Sequence, residues 1–398
     1  MNTQFKQTLI KYYLYVFFKN ASFFAAVLTP LFTDWAGLGL FHAYFLQSWF
    51  MFWSFVLEVP TGVIADYFGR KHSIAIGAFV VTVGALVYGS FPNFWIFLLG
   101  EFIFALGFAL TSGADKALLY DALKSANQES QRSKIFSRAY AIKFAAMAIS
   151  APIGSVLASR VGINAPMYLS AIPFFAAALI SWSIKEPSRN NHTSESKRWL
   201  LIAKKGGKFI WQNKLVKWMS IDSILVASAA YYVIWLYQPL LKTQGIGVQY
   251  FGWIHGGLVG VEVLVSLLLP FFEKICRSTH TYMRISAILT AIAFLVTALS
   301  PSLFTISLFL VIAGGIGLTR RELIATHLNV HIPEDERATI LSFVAMAHQV
   351  PLIILNPIIG GFADRSLSGA LFIVGLLPFL ALLTPITRGM YLTKEERK

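Results

Sequence analysis

Twelve stretches of mostly apolar residues follow one another along the chain, with short polar segments between most of them. A helix rises about 1.5 Å per residue, so crossing a hydrocarbon layer about 30 Å thick takes roughly 20 residues. Each stretch is about that long. We therefore predict twelve transmembrane helices, at residues 9–33, 39–65, 73–91, 94–122, 136–159, 165–184, 215–241, 248–272, 282–300, 302–327, 339–363 and 368–387.

The long polar stretch at residues 185–214 is rich in Lys, Ser and Asn and lies between the sixth and seventh predicted helices. It divides the chain into a six-helix bundle at 1–184, a linker at 185–214 and a second six-helix bundle at 215–398. Trp199–Trp218 mixes apolar residues with lysines, a composition typical of a helix that lies on an anionic membrane surface. A solvated linker explains the same segment equally well.

The composition supports a membrane protein. Hydrophobic residues make up 56% of the 398 positions and charged residues only 13%, whereas soluble domains carry about 25% charged residues. Lys and Arg total 33 against 19 for Asp and Glu, a net charge of +14 that favours basic loops on an apolar protein over a nucleic-acid binder. The single cysteine, Cys276, excludes an internal disulfide and a cysteine-based metal cluster. We predict no metal, no cofactor and no nucleic-acid partner.

The distribution of Lys and Arg among the loops predicts the orientation, because positive charge accumulates on the cytoplasmic side of a membrane. With both termini in the cytoplasm, few basic residues fall on the opposite side, chiefly Arg160, Lys242 and Arg365. The cytoplasmic side then holds Arg70 and Lys71, Lys124 to Lys134, Lys185 to Lys217, Lys274 and Arg277, and Arg388 to Lys398.

The two halves of the chain resemble each other when one is shifted by 205 positions. Nine identities then fall within a 32-residue window: Glu129, Arg132, Ile135, Ser137, Ile149, Pro152, Ile153, Ala158 and Arg160 match Glu334, Arg337, Ile340, Ser342, Ile354, Pro357, Ile358, Ala363 and Arg365. We interpret the chain as a duplicated six-helix unit, a construction found in several transporter folds. The same shift places Asp115 on Arg320 and Lys143 on His348, so ionisable positions are kept while their charge changes.

A recognisable motif lies between the second and third predicted helices, where the chain reads LEVPTGVIADYFGRKHS. Its spacing G-x3-D-x2-G-R-K is formed by Gly62, Asp66, Gly69, Arg70 and Lys71. Glycine at position 69 permits a left-handed turn, and the two basic residues hold the loop on the cytoplasmic side. A carboxylate at Asp66 can pair with a base or face a helix N-terminus.

This motif resembles the signature of the major facilitator superfamily, and SGADKALLYDAL and RATILSF also resemble segments of its bacterial members. The resemblance implies two pseudo-symmetric six-helix bundles in a bacterial inner membrane. It also implies a gating network that joins the halves, built here from Asp66, Arg70 and Asp121. We assign Glu58, near the inner end of the second helix, to that network. The corresponding loop of the second half keeps only Glu273 and Arg277.

Ionisable residues inside the predicted helices are candidates for the transport site, since each costs about 2.5 to 3.5 kcal/mol at the bilayer centre. The family resemblance implies a central cavity lined by the first, fourth, seventh and tenth helices. As substrate-binding candidates we take Tyr15, Lys19, Ser112, Lys143, Arg320, Arg321 and His348. As proton-coupling candidates we take Glu101, Asp115, His255 and Glu262. Glu101, Phe108, Ser112 and Asp115 would share one face of a regular fourth helix.

Structural alternatives stand beside these roles. Asp115 with Arg320 or Arg321 is expected either as a fixed ion pair or as one that substrate or proton binding opens. His255 and Glu262 are expected either to handle protons or to form a hydrogen-bonded packing pair. Lys19 and Lys143 have no obvious partner in the sequence.

The function predicted from these observations is secondary active transport of a small anionic or zwitterionic organic solute, coupled to protons by alternating access. A multidrug efflux pump is the first alternative, and an intramembrane enzyme acting on lipids is the second. The sequence contains no G-x4-G-K-[ST] segment for ATP binding. The expected partners are the solute, protons and membrane lipid, with the protein acting as a monomer.

Overall fold

The computed structural model describes residues 3–186, 207–332 and 346–387, together with residues 340, 343 and 344. The side chains of Thr3, Val59, Val63, Asp66, Asn329 and Val330 lie outside this description. Most residues of the predicted linker, the C-terminal tail and the part of Trp199–Trp218 before residue 207 also lie outside this description. Every regular element in the described residues is a helix, so the all-helical prediction is confirmed.

Eight α-helices of five residues or more lie in the described residues of the first half. They are α1 (Thr3–Asn20), α2 (Leu40–Phe68), α3 (Arg70–Tyr88), α4 (Phe94–Thr111), α5 (Ala114–Ser125), α6 (Arg132–Arg160), α7 (Ala165–Leu169) and α8 (Ala171–Trp182). The first predicted span is not one continuous helix: after α1 the chain resumes as a short turn at Leu28–Pro30 and a π-helical segment at Leu31–Trp35.

The second half repeats this arrangement. Its helices are α9 (Lys214–Thr243), α10 (Val248–Ile275), α11 (Thr279–Leu299), α12 (Leu303–Phe309), α13 (Leu318–His331), α14 (Gln349–Arg365) and α15 (Leu367–Ala381). A π-helical segment, Leu310–Gly317, joins α12 to α13.

Nine helical segments in the described part of the chain are long and apolar enough to cross a membrane. The other three predicted spans correspond to α1 with the segments after it, to α14 and to α15. Helix α1 contains Lys6, Lys11 and Lys19, and α15 is apolar but only 15 residues long. The count of twelve crossings therefore stays a prediction.

The chain folds into two compact units. The first unit contains the described residues up to Leu38, those from Leu46 to Glu186, and Val248–Gly256. The second contains Gly39–Phe45, the described residues from 207 to Gly247, and those from Gly257 onward. Each unit has its own apolar core: one surrounds Tyr15, Leu118 and Ile135, and the other surrounds Met283, Leu323 and Leu328.

Large apolar side chains also cover the outside of the helices. Leu267 is 74% exposed, Phe304 is 73% exposed and Leu299 is 79% exposed. In water such surfaces would favour aggregation, whereas in a bilayer they contact lipid tails. The exposed apolar surface and the apolar helices together make this an integral membrane protein.

The fourth predicted span is interrupted in its middle. Helix α4 ends at Thr111, Ser112 has the extended dihedrals φ −62° and ψ 132°, and α5 begins at Ala114. Gly113 has φ +70°, a left-handed conformation that glycine adopts at little cost. The prediction of one continuous helix over 94–122 is therefore wrong, and the face predicted from regular spacing does not extend from Glu101 to Asp115.

The 205-residue repeat is visible in these details. The proline equivalents Pro152 and Pro357 both lie inside helices, α6 and α14. Those two helices end at Arg160 and Arg365, which are also equivalent. The interruption at Ser112 corresponds to the end of the π-helical segment at Gly317, since 112 + 205 = 317. Both halves therefore carry an irregular backbone shortly before the ionisable positions 115 and 320.

Close packing of α3 on α4 gives a test of the fold. A Cβ at Gly77 would lie 2.7 Å from the carbonyl oxygen of Gly107 and 2.7 Å from Cγ2 of Thr111. We expect Gly77→Ala to destabilise the protein by about 1 to 3 kcal/mol, because overpacking forces the two helices apart. A lower midpoint of thermal unfolding in detergent would show this. The control is Gly260→Ala in α10, where a Cβ meets open space; an equal loss there would contradict the packing.

Candidate functional site

An ion pair joins the first and fourth predicted spans of the first unit. Lys19 Nζ lies 2.9 Å from Asp115 Oδ2, and the two side chains are 19% and 17% exposed. Lys19 comes from the last turn of α1, and Asp115 lies in the first turn of α5. The partial positive charge of a helix N-terminus stabilises a carboxylate at that position. Lys19 thus has a partner that its sequence neighbours did not indicate.

A cavity of about 290 Å³ lies beside this pair within the first unit, and we call it the N-terminal cavity. Its polar lining consists of Lys19, Asn20, Ser22, Gln47, Tyr88, Glu101 and Lys143. Its apolar lining consists of Phe24, Leu28, Phe50, Phe104, Phe108, Met147, Met167 and Phe174. A few convergent polar groups in a mainly apolar wall are typical of a small-molecule site.

Glu101 supplies the carboxylate of this wall, and its residue is only 4% exposed. Its Oε1 accepts hydrogen bonds from Gln47 Nε2 at 2.8 Å and from the Tyr88 hydroxyl at 3.0 Å. The ring of Tyr88 is stacked on Phe97, with centroids 5.0 Å apart, and on Phe104 at 5.7 Å. The carboxylate is therefore held in one orientation by two neutral donors, one of which is fixed by aromatic packing.

Two cationic side chains reach the same cavity from different helices. Lys19 comes from α1 and Lys143 from α6, where its Nζ lies 5.5 Å from the ring centroid of Phe144. Tyr15, another substrate-binding candidate, is fully buried in the core of the unit. Its ring lies 5.6 Å from Lys19 Nζ, so it packs beneath the ammonium group and does not line the cavity.

Arg320 has an environment different from the expected one. Its Nη2 and Nε lie 2.6 Å and 3.0 Å from Asp222 Oδ1, and both side chains are fully buried. Nη1 donates to the Met283 carbonyl oxygen at 2.6 Å and also to the Ser286 hydroxyl. The expected pair between Asp115 and Arg320 is thus wrong: each residue pairs within its own unit. The buried guanidinium presents no accessible surface to a solute in this structure.

The two ion pairs are related by the internal repeat, with their charges reversed. Asp115 and Arg320 are equivalent positions, and each pairs with the first predicted span of its own half. Lys19 supplies the cation in the first half. Asp222, two residues before the position equivalent to Lys19, supplies the anion in the second. Both halves therefore have an ion pair between equivalent spans, with the acidic and basic residues exchanged. Only the pair of the second half, Asp222–Arg320, is completely buried.

The remaining candidates of the second half occupy separate places. His348 Nε2 lies 3.0 Å from the Ser223 hydroxyl, and the histidine is buried. Arg321 is exposed. On α10, His255 is buried and belongs to the first unit, whereas Glu262 is half-buried and belongs to the second.

The signature loop forms the expected turn at one end of the first unit. Gly69 has φ +96°, which confirms the predicted left-handed turn. Arg70 Nη1 donates to Asp121 Oδ2, and the Arg70 backbone N–H donates to Glu186 Oε1 at 2.7 Å. Glu186 thus caps the N-terminus of α3, while the side chain of Asp66 lies outside the described residues. The Nζ atom of Lys71 lies 6.0 Å from the centroid of the Trp182 ring.

Glu58 is joined to the interruption of the fourth span. The Ser112 hydroxyl donates a hydrogen bond to Glu58 Oε1 at 3.0 Å. Ser112 is exposed and does not line the N-terminal cavity. This contact ties α2 to the interrupted backbone that precedes Asp115.

The second half has a different polar cluster near the ends of α10 and α13. His327 Nε2 lies 3.0 Å from Glu273 Oε1, and the Thr279 hydroxyl donates to the same oxygen at 3.1 Å. Burial, and the carboxylate of Glu273, raise the pKa of the Cys276 thiol. A raised pKa makes a thiol less reactive as a nucleophile, because less of it is present as thiolate.

Residues of these sites that were not among the sequence candidates include Gln47, Tyr88, Glu186 and Asp222. Asp222 carried the clearest signal, because a carboxylate inside an apolar span calls for a partner. The polar Gln47 in an apolar helix was a weaker signal, and Tyr88 and Glu186 had none that separates them from ordinary interfacial residues.

The different burial of the two ion pairs gives a prediction. Arg320→Gln should destabilise the protein by about 3 to 5 kcal/mol, because it leaves Asp222 buried and unpaired. Adding Asp222→Asn should restore more than half of that loss, measured as thermal unfolding in detergent. Lys19→Gln should cost less, since its pair is partly exposed. Equal losses in Arg320→Gln and Lys19→Gln would contradict the assignment of the buried pair as the fixed one.

Comparison with known proteins agrees with this architecture. The family model of the Major Facilitator Superfamily matches residues 13–355. An uncharacterised MFS-type transporter of Bacillus subtilis strain 168, YxaM, is 24% identical over 80% of this chain and 80% of its own. An uncharacterised transporter of Buchnera aphidicola subsp. Schizaphis graminum is 30% identical, but the match covers 40% of this chain and only 39% of that relative.

Solved structures show the same fold at low sequence identity. A mutant of the nucleoside transporter NupG matches with a TM-score of 0.80 and 13% identity, over 97% of this chain and 100% of that one. A D-xylose-proton symporter matches with a TM-score of 0.73 and 14% identity, over 98% and 99% of the two chains. Because the family model covers most of the sequence, the chain belongs to the major facilitator superfamily, a family of membrane transporters.

Proposed function

We propose that this transporter moves a small organic solute with a carboxylate or similar anionic group, and that protons drive it by alternating access. The observation that carries the proposal is the Lys19–Asp115 pair, whose lysine lines the N-terminal cavity. The solute is anionic or zwitterionic. We place the protein in a bacterial inner membrane with both termini in the cytoplasm, acting as a monomer.

The cavity lining favours an anionic group on the solute. Apart from Tyr88, the ionisable residues of the lining are Lys19, Lys143 and Glu101, so lysines outnumber carboxylates by two to one. A lysine ammonium acts as a point charge for a carboxylate, and exclusion of water strengthens the attraction. Arg320 is no longer part of this argument, because its guanidinium is buried against Asp222. The sequence expectation of an anion site therefore shifts from Arg320 to the two lysines.

Coupling to protons follows from the partner of Lys19. When Asp115 is ionised, the Lys19 ammonium is held 2.9 Å from it. A proton on Asp115 removes the negative charge and leaves Lys19 able to bind a carboxylate of the solute. A ligand shifts a conformational equilibrium only if it binds the two states differently. Exchange of partners at Lys19 supplies that difference. A proton on Asp115 and a solute carboxylate on Lys19 both stabilise the state in which the Lys19–Asp115 pair is open.

The cavity also contains the feature that best supports the alternative of a multidrug pump. Five phenylalanines and two methionines line it, and flexible apolar walls of this kind accept varied apolar ligands. Under that hypothesis the buried Glu101 would attract a lipophilic cation, and the lysines would only neutralise carboxylates. An intramembrane enzyme is the weakest hypothesis, because the family consists of transporters.

Proton coupling is tested in proteoliposomes that contain a fluorescent pH indicator. We expect 3-phenylpropionate or L-phenylalanine to cause proton movement through the wild-type protein, measured with the membrane potential clamped. Asp115→Asn should lower this solute-dependent proton movement at least tenfold, because the exchangeable carboxylate is gone.

Glu129→Gln is the matched control, since Glu129 is an exposed glutamate in the short turn before α6. Unchanged proton movement in Asp115→Asn would overturn the coupling role of the pair. Proton movement driven only by ethidium or another lipophilic cation would replace the proposed solute class by the multidrug alternative.

A further inference from the structure

We propose that Glu101, held by Tyr88 and Gln47, is a subsite for an ammonium group, so that the solute is a zwitterion with an apolar body. This inference rests on the proposed function and narrows its solute class. It gives Glu101 a role in recognition, in place of the proton-coupling role that its position in an apolar span first suggested.

Neighbouring side chains hold the Glu101 carboxylate in one orientation in the cavity wall. The residue is almost completely buried, and both hydrogen bonds given to Oε1 come from neutral donors. An ammonium group on the solute would add a charged donor to this carboxylate, and the low polarity of the surroundings makes such a contact strong.

Side chains of opposite charge line one cavity. The carboxylate projects from α4, while the two lysines project from α1 and α6. A solute with a single charge would offer a group of opposite charge either to the carboxylate or to the lysines, but not to both. A zwitterion brings an ammonium to Glu101 and a carboxylate to the lysines, so that both partners of each contact are matched when water is expelled.

Apolar side chains form a large part of the same cavity wall. Phe50, Phe104 and Phe108 come from α2 and α4, and Met147 and Phe174 come from α6 and α8. Phe104 packs against Phe108 with centroids 6.0 Å apart and on Phe24 at 5.9 Å. These rings favour an apolar or aromatic body on the solute over a sugar, whose hydroxyls would lose hydrogen bonds here.

Tyr88 and Gln47 are the positioning residues of this subsite. Tyr88 is fixed by stacking on Phe97, so its hydroxyl keeps one location. Its hydrogen bond and that of Gln47 go to the same oxygen of Glu101. Loss of the Tyr88 hydroxyl should weaken ammonium recognition without changing recognition of the carboxylate, which a purely structural role would not do.

Three probes of matched shape separate the charges. L-Phenylalanine carries both groups, 3-phenylpropionate only the carboxylate, and 2-phenylethylamine only the ammonium. We would measure their binding to the purified full-length protein in detergent by isothermal titration calorimetry and by thermal shift. The zwitterion should bind at least tenfold more tightly than either of the other two probes.

Variants assign each contact. In Glu101→Gln the zwitterion should lose its advantage over 3-phenylpropionate, whose own affinity stays within about twofold of the wild-type value. Tyr88→Phe should reduce the advantage several-fold, and it keeps the proposal testable if Glu101→Gln fails to fold. Glu129→Gln should leave all three affinities unchanged, because Glu129 is exposed and does not line the cavity.

Several outcomes would overturn the inference. Equal binding of the zwitterion and the acid, unaffected by Glu101→Gln, would make Glu101 a protonated or structural group and leave the proposed anion transport intact. Binding of the amine alone would overturn both proposals in favour of cation efflux. Absence of binding by all three probes at 10 mM would overturn the ammonium subsite, while the proteoliposome assay with other organic acids would still decide the proposed function.

Discussion

A charged side chain within a bilayer needs a partner, and this constraint organises both halves of the protein. Each half meets it with an ion pair between its first and fourth spans, Lys19 with Asp115 and Asp222 with Arg320. The first pair is partly accessible beside a cavity, whereas the second is sealed and further hydrogen-bonded by Ser286 and Thr384. One duplicated position thus yields a partly exposed pair in the first half and a fully buried pair in the second.

The irregular backbone before each pair has a physical reason. Ser112 and Gly113 interrupt the fourth span, so α5 begins a new N-terminus at the place where Asp115 lies. In the second half the π-helical segment Leu310–Gly317 precedes Arg320. Irregular backbone at membrane depth is tolerated where it is buried in protein or lines a cavity, and transporters use such interrupted helices at their sites. Both halves therefore place an ionisable residue shortly after irregular backbone, Asp115 after Ser112–Gly113 and Arg320 after Gly317.

Much of the fold follows from local sequence properties. Apolar stretches of sufficient length predicted most of the helices, and the repeat aligned Arg160 with Arg365, the residues at which α6 and α14 end. The pairing of charges could not be predicted from the sequence. Lys19 and Asp115 are 96 residues apart, and several acidic residues inside the predicted helices were possible partners of Arg320. The interruption at Ser112 could not be predicted either, since Ser and Gly occur within many continuous membrane helices. Glu101 was predicted as a site residue, but its contacts with Gln47 and Tyr88 depend on packing among three helices.

The central claim is that Lys19 exchanges Asp115 for the carboxylate of the solute. The most direct measurement is the affinity of purified wild type and Asp115→Asn for 3-phenylpropionate at pH 5.5 and pH 8. With the competing carboxylate removed, Asp115→Asn should bind the acid equally well at both pH values, and at pH 8 at least tenfold more tightly than wild type. The wild-type protein should bind more tightly at the lower pH. Weaker binding by Asp115→Asn than by wild type at both pH values would contradict the exchange.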